Sequence, residues 1–592
     1  MRKFCLLVLT VVFFSFTGSG VGAREFAETG KEAPKGLLSA EIIPSLKDWN
    51  AWRSLIFEVL EKEREEEFVA ALKNLLQRNF SDEERVALEE PEWFALVDTL
   101  RFLEDCHRLR PLHPDTMEWL FRSADRLQMF SESLDRDDHW PEVAHILDRL
   151  IAHDPDGSER FDRLVMAMAV VWDESRRPPL HRQKGQALPY QRDLLRRYGF
   201  FRDLYADRGS RMPYDRLSVT ALTFVVDTPV PVSELEWAQR NVRGTRTRWG
   251  DRYSAIRYDN ARWPGGASGP VYNWPHGEYR LEKIERLGGI CTDQGYYAVL
   301  TARANGIPAM IFTGMGVRGG HAWMGFMRDE DRWEMDVGRY EYDEYMIGHT
   351  INPQTNRRMS DHDVTLSTAR SFRGGGVSES LARYRLGETL ARLGESRGAY
   401  QSLRAVTRDL PLFWDAWKGK ARLLRNHPDQ SFLAGLYERQ AQAYRNYPDQ
   451  LFIVTQNQAR LLAEAERFSE AAQLFRDFPG LVVRERQDLA ENVLWERARF
   501  LRKAGEERRG RTLLERFLIN HEELGMLLRG MVGRYAEYML EIEEPRAGAD
   551  FLGRFRTRLR IDDYGLERVL FDVEHSLRTE AGDQAGLRRM RR

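Results

Sequence analysis

Residues 288–327 read GGICTDQGYYAVLTARANGIPAMIFTGMGVRGGHAWMGFM, and residues 332–340 read RWEMDVGRY. This stretch sets a cysteine (Cys291), a histidine (His321) and an aspartate (Asp336) in that order, each in a different local context. Gly288 and Gly289 let the backbone turn sharply just before the cysteine. Thr292 to Leu300 then reads as a helix start with Cys291 at or next to its N-cap, and Tyr297, Leu300 and Ala304 follow at helical spacing. Gly306-Ile307-Pro308 stops that helix. Ala309 to Thr313 is a short apolar strand, and Gly314 to Gly320 is a turn. His321 to Met327 alternates, and Arg332 to Asp336 is its return strand. The pattern predicts a helix bearing cysteine packed on an antiparallel sheet bearing histidine and aspartate.

The three residue types suit one chemistry. A free thiol, with a pKa of about 8.5, is mostly protonated at neutral pH, and the thiolate is the form that attacks carbonyl carbon. A helix N-terminus favours the anion by about 0.3–1 kcal/mol at an exposed site. An imidazolium partner lowers a thiol pKa much further. His321 is the candidate base, and Asp336 is the candidate group that fixes its tautomer. The backbone N–H of Cys291 is one candidate oxyanion donor. A second could come from Trp274, in Tyr272-Asn273-Trp274-Pro275-His276, or from Trp323 beside the histidine, although packing explains a tryptophan equally well.

Together, G-x-C at a helix start, GIPA, HAW and a W-x-x-D strand resemble the transglutaminase-like superfamily of papain-type folds. The resemblance covers residues 270 to 345 and extends more weakly upstream to about 217. It implies Cys291 as nucleophile, His321 as base and Asp336 as third member. The calcium sites and β-sandwich domains of the family's eukaryotic crosslinking enzymes have no counterpart in this sequence. The implied reaction is attack on an amide or peptide bond through a thioester, followed by hydrolysis or acyl transfer. The resemblance leaves the acyl acceptor open.

At 592 residues the chain is long enough for several domains. Lys and Arg total 89 against 91 Asp and Glu, so no bulk charge attracts nucleic acid. Residues 1–23 read as an export signal: Arg2 and Lys3, an apolar run from Cys5 to Phe16, then Val21-Gly22-Ala23 before Arg24. The expected location is periplasmic or secreted, in a bacterium, with no stable membrane insertion once the signal is removed. Cys106 and Cys291 then remain, too few for a disulfide framework. Cys106 lies at helical spacing with Leu103 and reads as core packing. The 13 histidines show no metal-ligand spacing, and no cofactor is expected.

Four further regions complete an α+β plan. Residues 24–211 are an α-helical N-terminal domain. In it, His153 to Glu159 reads as a capped turn, although it faintly suggests a calcium loop, and Asp137-Asp138-His139 reads as a polar loop. Residues 212–365 hold the papain/transglutaminase-like core. Its Leu217–Val226 run is ambiguous between helix and strand, and a helix capped by Ser233 follows. Gly314-x-Gly316-x-x-Gly319 leads into a strand, so it is not a dinucleotide loop. Residues 366–376 are a linker. Residues 377–592 repeat small and large apolar positions in the manner of tetratricopeptide (TPR) repeats: Gly387, Leu390, Ala399 and Leu403, then Ala459 and Phe475, then Ala498 and Phe517, then Ala536 and Phe555. The rival reading of that segment is an ordinary helical bundle. The expected partners are a protein or peptide substrate and a protein held on the helical repeats. The rival to an enzyme is a non-catalytic scaffold using the same fold for binding.

Overall fold

The computed structural model describes residues 48–81, 91–175, 193–207, 209–259, 274, 276–316, 319–329, 332–339, 348–367, 376–476, 478, 487–521, 525–559 and 564–590. The expected export signal therefore lies outside the described residues. The chain divides into two compact units, residues 1–75 and 76–592.

In the first unit, helix α1 (Trp49–Glu61) is capped by Asp48, whose Oδ1 accepts from the Asn50 and Ala51 N–H groups at 3.0 and 3.3 Å. Trp52, Ile56 and Val59 bury one stripe, and the Trp52 ring lies 5.7 Å from Phe68 in helix α2 (Glu65–Ser81).

The second unit is α+β: helices flank one small antiparallel sheet. Its leading helices run from α3 (Pro91–Arg101) through α4 (Pro114–Leu120), α5 (Ala124–Ser133), α6 (Trp140–His153), α7 (Pro155–Arg160) and α8 (Asp162–Val171) to α9 (Leu194–Ala206). Asp154 caps α7 by accepting from Gly157 N at 3.1 Å, so the sequence there is a capped turn. Cys106 lies in a π-helical turn (Phe102–His107) and is 8 % exposed, in the core as expected. The ambiguous apolar run is helix α10 (Val219–Val226), buried along almost its whole length. Helix α11 (Val232–Asn241) starts one residue before Ser233, and its N-cap is Pro231 instead of the serine. Two short helices, α12 (Asp251–Ser254) and α13 (Leu281–Leu287), precede α14 (Cys291–Arg303).

The sheet follows directly: β1 (Ala309–Gly316), β2 (Gly319–Asp329), β3 (Arg332–Val337), β4 (Gly348–Ile351) and β5 (Arg358–Ser360), in the order β3-β2-β1-β4-β5. The strands run longer than the alternation suggested, because the glycines at 314, 316, 319 and 320 pair across the hairpin instead of forming an open turn. On one face Met310, Phe312 and Trp323 pack with Phe224 and Val364. Helix α14 covers the other: a Cβ at Gly295 would lie 2.7 Å from Ile311 Cδ1, so any larger residue there must displace that side chain.

Helix α15 (Asp361–Ser367) includes the first two residues assigned to the linker, and α16 (Gly376–Arg392) its last. Then antiparallel pairs succeed one another: α16 with α17 (Ser396–Asp409), α18 (Trp414–Leu424) with α19 (Ser431–Ala443), and α20 (Pro448–Glu464) with α21 (Phe468–Leu474). The segments 487–503, 507–520, 525–541, 545–558, 564–580 and 584–590 continue the series. Left-handed residues close the intra-pair turns at Gly394, Glu466, Gly505, Glu543 and Gly582. The last four are spaced by 39, 38 and 39 residues, so the repeat is longer than 34. Small residues sit where helices cross: a Cβ on Gly387 would meet Leu403 at 3.0 Å.

Candidate active site

The loop before Cys291 is held by contacts that tolerate no side chain. Gly288 has φ +77°, and a Cβ there would lie 2.4 Å from the Arg257 carbonyl oxygen. Gly289 donates its N–H to that same oxygen at 3.0 Å, and its carbonyl accepts from Asp259 N at 2.9 Å. The chain is thereby pinned against residues 257–259 before it turns into α14. Asp293, fully buried, completes the start of the helix. Its Oδ2 accepts the Ile290 N–H at 2.9 Å, and its Oδ1 accepts the Tyr279 hydroxyl at 2.7 Å. An acid three residues past an N-cap is a recognised helix-start signal, so Asp293 was legible in the sequence. Tyr279 was not.

Cys291 is the first residue of α14 and is 5 % exposed. Burial pushes its thiol pKa up. Opposing that, the backbone N–H of Ala322 and the hydroxyl and N–H of Thr292 donate to the sulfur and favour the thiolate, while the Asp293 charge adds to the upward shift. The balance is upward.

Ala322 follows His321 on β2. It lies beyond the last β2–β3 pair, Met324 with Val337, so its outer edge is open on that side. Its carbonyl accepts the Tyr253 hydroxyl at 2.6 Å, and its N–H serves the Cys291 sulfur. The two groups of one strand residue point to the same edge. Tyr253 and Cys291 therefore approach β2 at one place. A Cβ on Gly338 would lie 2.3 Å from the Tyr253 ring, and the Gly338 carbonyl oxygen is 2.7 Å from His321 Nε2. A carbonyl only accepts, so Nε2 carries the proton and, in the neutral imidazole, Nδ1 is the accepting nitrogen.

Asp336 stands two residues before that carbonyl. Its side chain is 60 % exposed, and Oδ1 accepts from Arg339 Nη1 at 2.9 Å. The Arg339 N–H bonds the Asp336 carbonyl at 3.1 Å, closing the turn that presents Gly338. The same guanidinium reaches Asp361 Oδ2 at 3.1 Å and stacks 4.8 Å over the Trp323 ring. The structure thus joins Cys291 to the strand residue next to His321. It gives the Nε2 bond to the Gly338 carbonyl and joins Asp336 to Arg339.

Trp323 is 1 % exposed, and its ring lies 5.8 Å from Phe312. It packs in the core, and its indole N–H has no hydrogen-bond partner among the described residues. Trp274 belongs to a cluster beside α14, with ring centroids 4.9 Å from His276 and 5.2 Å from Tyr279, the tyrosine bonded to Asp293. Its buried indole N–H has no hydrogen-bond partner among the described residues. The residues that sequence reading missed are Tyr253, Tyr279 and Gly338. Gly338 left the faintest trace, a glycine just past a strand, where φ is +86°.

No family model matches this sequence, and a search among curated proteins finds no match.

Proposed function

We propose that the chain is a transglutaminase-like cysteine enzyme, exported, that cleaves or transfers at amide or peptide bonds through a thioester. The observation that carries this reading is the convergence on β2: the Cys291 sulfur meets the Ala322 N–H, and the neighbouring His321 ring is held through Nε2 by Gly338. Held that way, the ring offers Nδ1 as the base. The thiol proton moves to Nδ1 as sulfur attacks the carbonyl carbon. The tetrahedral oxygen takes backbone N–H donors at the start of α14, and the Trp274 N–H, unpaired among the described residues, is the side-chain candidate. Collapse breaks the C–N bond, the imidazolium protonates the departing amine, and a thioester remains on Cys291. Water or a second amine then resolves it. In this reading Asp336 acts through Arg339 on the turn that carries the Gly338 carbonyl, and is a positioning residue. The C-terminal helix pairs would serve as a TPR-like surface for a protein partner.

A specific observation favours a second reading, the non-catalytic scaffold: Cys291 is only 5 % exposed and its thiol is shifted toward the protonated form. One experiment separates the two. A peptidyl chloromethyl ketone at pH 7 should alkylate Cys291 in the wild type and not in Cys291→Ala. His321→Asn should slow that reaction by about 100-fold or more, the usual range for loss of a general base. Labelling that is absent at pH 7 and emerges only in alkali, unchanged by His321→Asn, would support the scaffold.

A further inference from the structure

A cavity of about 160 Å³ lies between α14 and the β1–β4–β5 side of the sheet, and neither Cys291 nor His321 lines it. Two periodicities build it. On α14, Tyr296, Val299, Leu300 and Arg303 stand at i, i+3, i+4 and i+7, so they form one stripe that faces the cavity. On the sheet, Ile311 and Thr313 alternate along β1, as do His349 and Ile351 along β4. Thr313 stands directly opposite His349, and Ile351 opposite Arg358 of β5. These five side chains therefore leave the same face of the sheet, toward α14.

The cations at this cavity outnumber the acids. Arg303, with its side chain 8 % exposed, donates Nε to the Ala309 carbonyl at 2.9 Å. Its Nη1 donates to the Asp227 carbonyl and, at 2.9 Å, to Asp227 Oδ2. Its Nη2 has no hydrogen-bond partner among the described residues, so one edge of a nearly buried guanidinium is uncommitted. Asp227 cancels the Arg303 charge. Arg358 is exposed and has no carboxylate partner among the described residues, which leaves one net positive charge beside apolar walls. The volume sets the size of the guest. An apolar cavity of about 150 Å³ admits a benzene ring, whereas drug-sized ligands need roughly 300–1,000 Å³.

We infer that this cavity binds a small monocarboxylate with a one-ring or branched apolar body. The body lies among Val299, Leu300 and Ile311, and the carboxylate pairs with Arg358, the Arg303 Nη2 being the second donor. A carboxylate without a body buries no apolar surface. A neutral ring leaves Arg358 unpaired, and two fused rings exceed the volume. The site is independent of the chemistry at Cys291.

The test is calorimetric titration of the full chain at pH 7 and fixed ionic strength with benzoate, benzamide, acetate and 2-naphthoate. Benzoate should saturate one site and bind about tenfold or more tighter than each of the other three, the scale of a hydrogen bond to a charged group. Arg358→Gln should remove the preference for benzoate over benzamide, and Ile351→Glu should weaken benzoate by about tenfold or more; both positions are exposed, so the fold does not depend on them. Cys291→Ala should bind benzoate as the wild type does. No saturable benzoate binding, equal affinity for benzoate and benzamide, or a benzoate affinity that Arg358→Gln leaves unchanged would overturn the site.

Discussion

At the scale of single residues, the two described cysteines are buried to similar degrees and differ in what surrounds the sulfur. Burial pushes Cys106 up to about 12, and the nearby Asp105 charge adds to that. Cys291 is raised too, but N–H and O–H donors face it. Iodoacetamide alkylation, mapped by peptide, should therefore report Cys291 and leave Cys106 unmodified below pH 10. The pH midpoint of that reaction reports the thiol in the folded protein. Asp293→Asn removes a negative charge beside the thiol and should move that midpoint down; a midpoint that stays in place would remove Asp293 from the account. The same change weakens two charge-assisted hydrogen bonds and should lower stability by about 1–3 kcal/mol. Two carboxyls act in the same pH range. Burial raises Asp138 to about 7 against donation from Asp135 N and Gln354, and burial raises Glu234 to about 7 against donation from Leu281 N. Each holds its proton in the folded chain at a pH where the unfolded chain has lost it. Their contribution is thus greatest in acid and declines as pH rises from about 4 to 7. Denaturation midpoints at pH 5 and pH 8 should move closer together in Asp138→Asn and Glu234→Gln, by about 1 kcal/mol for each group.

At the scale of elements, the turns inside five helix pairs carry a residue in the left-handed region, whichever amino acid stands there, and the α18–α19 turn does without one. Gly505, at φ +75°, meets nothing within 4 Å of a Cβ, so only backbone strain opposes a side chain. Gly505→Ala should cost about 1 kcal/mol in thermal or urea unfolding, whereas Glu543→Gly, at φ +57°, should be neutral or mildly stabilising. A loss well above 2 kcal/mol for Gly505→Ala would point to a packing role that the geometry does not contain. The pairs were legible as alternating small and large residues. The 38–39-residue period was less so, because extra residues in the connections shift the offsets while leaving the buried stripe unchanged.

At the scale of the molecule, the helices before the sheet and those after it lock together. Asp98 on α3 takes both oxygens into a bidentate pair with Arg385 on α16, at 2.6 and 2.9 Å, and both residues are almost fully buried. Gln128 reaches the Ser378 side chain at 2.8 Å, and Ser378 reaches Glu132 at 2.8 Å. Asp98→Ala would leave the Arg385 guanidinium buried with Glu132, at 3.6 Å, as its one acidic neighbour among the described residues. It should lower the urea midpoint by the equivalent of about 3–5 kcal/mol, and Arg385→Met on that background should recover part of the loss. If Asp98→Ala is neutral, the contact between the two helical segments contributes little to the fold.

The one-dimensional text was enough to specify the local pieces: the glycine turn into the cysteine helix, the three-stranded core of the sheet and the succession of helix pairs. Each depends on periodicity and on residues that punctuate the backbone, and both are written along the chain. Tertiary structure alone decided that a backbone carbonyl, Gly338, receives the His321 proton, that Trp323 is sealed in the core, and that α3 holds α16. Those outcomes depend on which distant groups compete for the same buried donor or volume, and that competition exists only once the chain has folded.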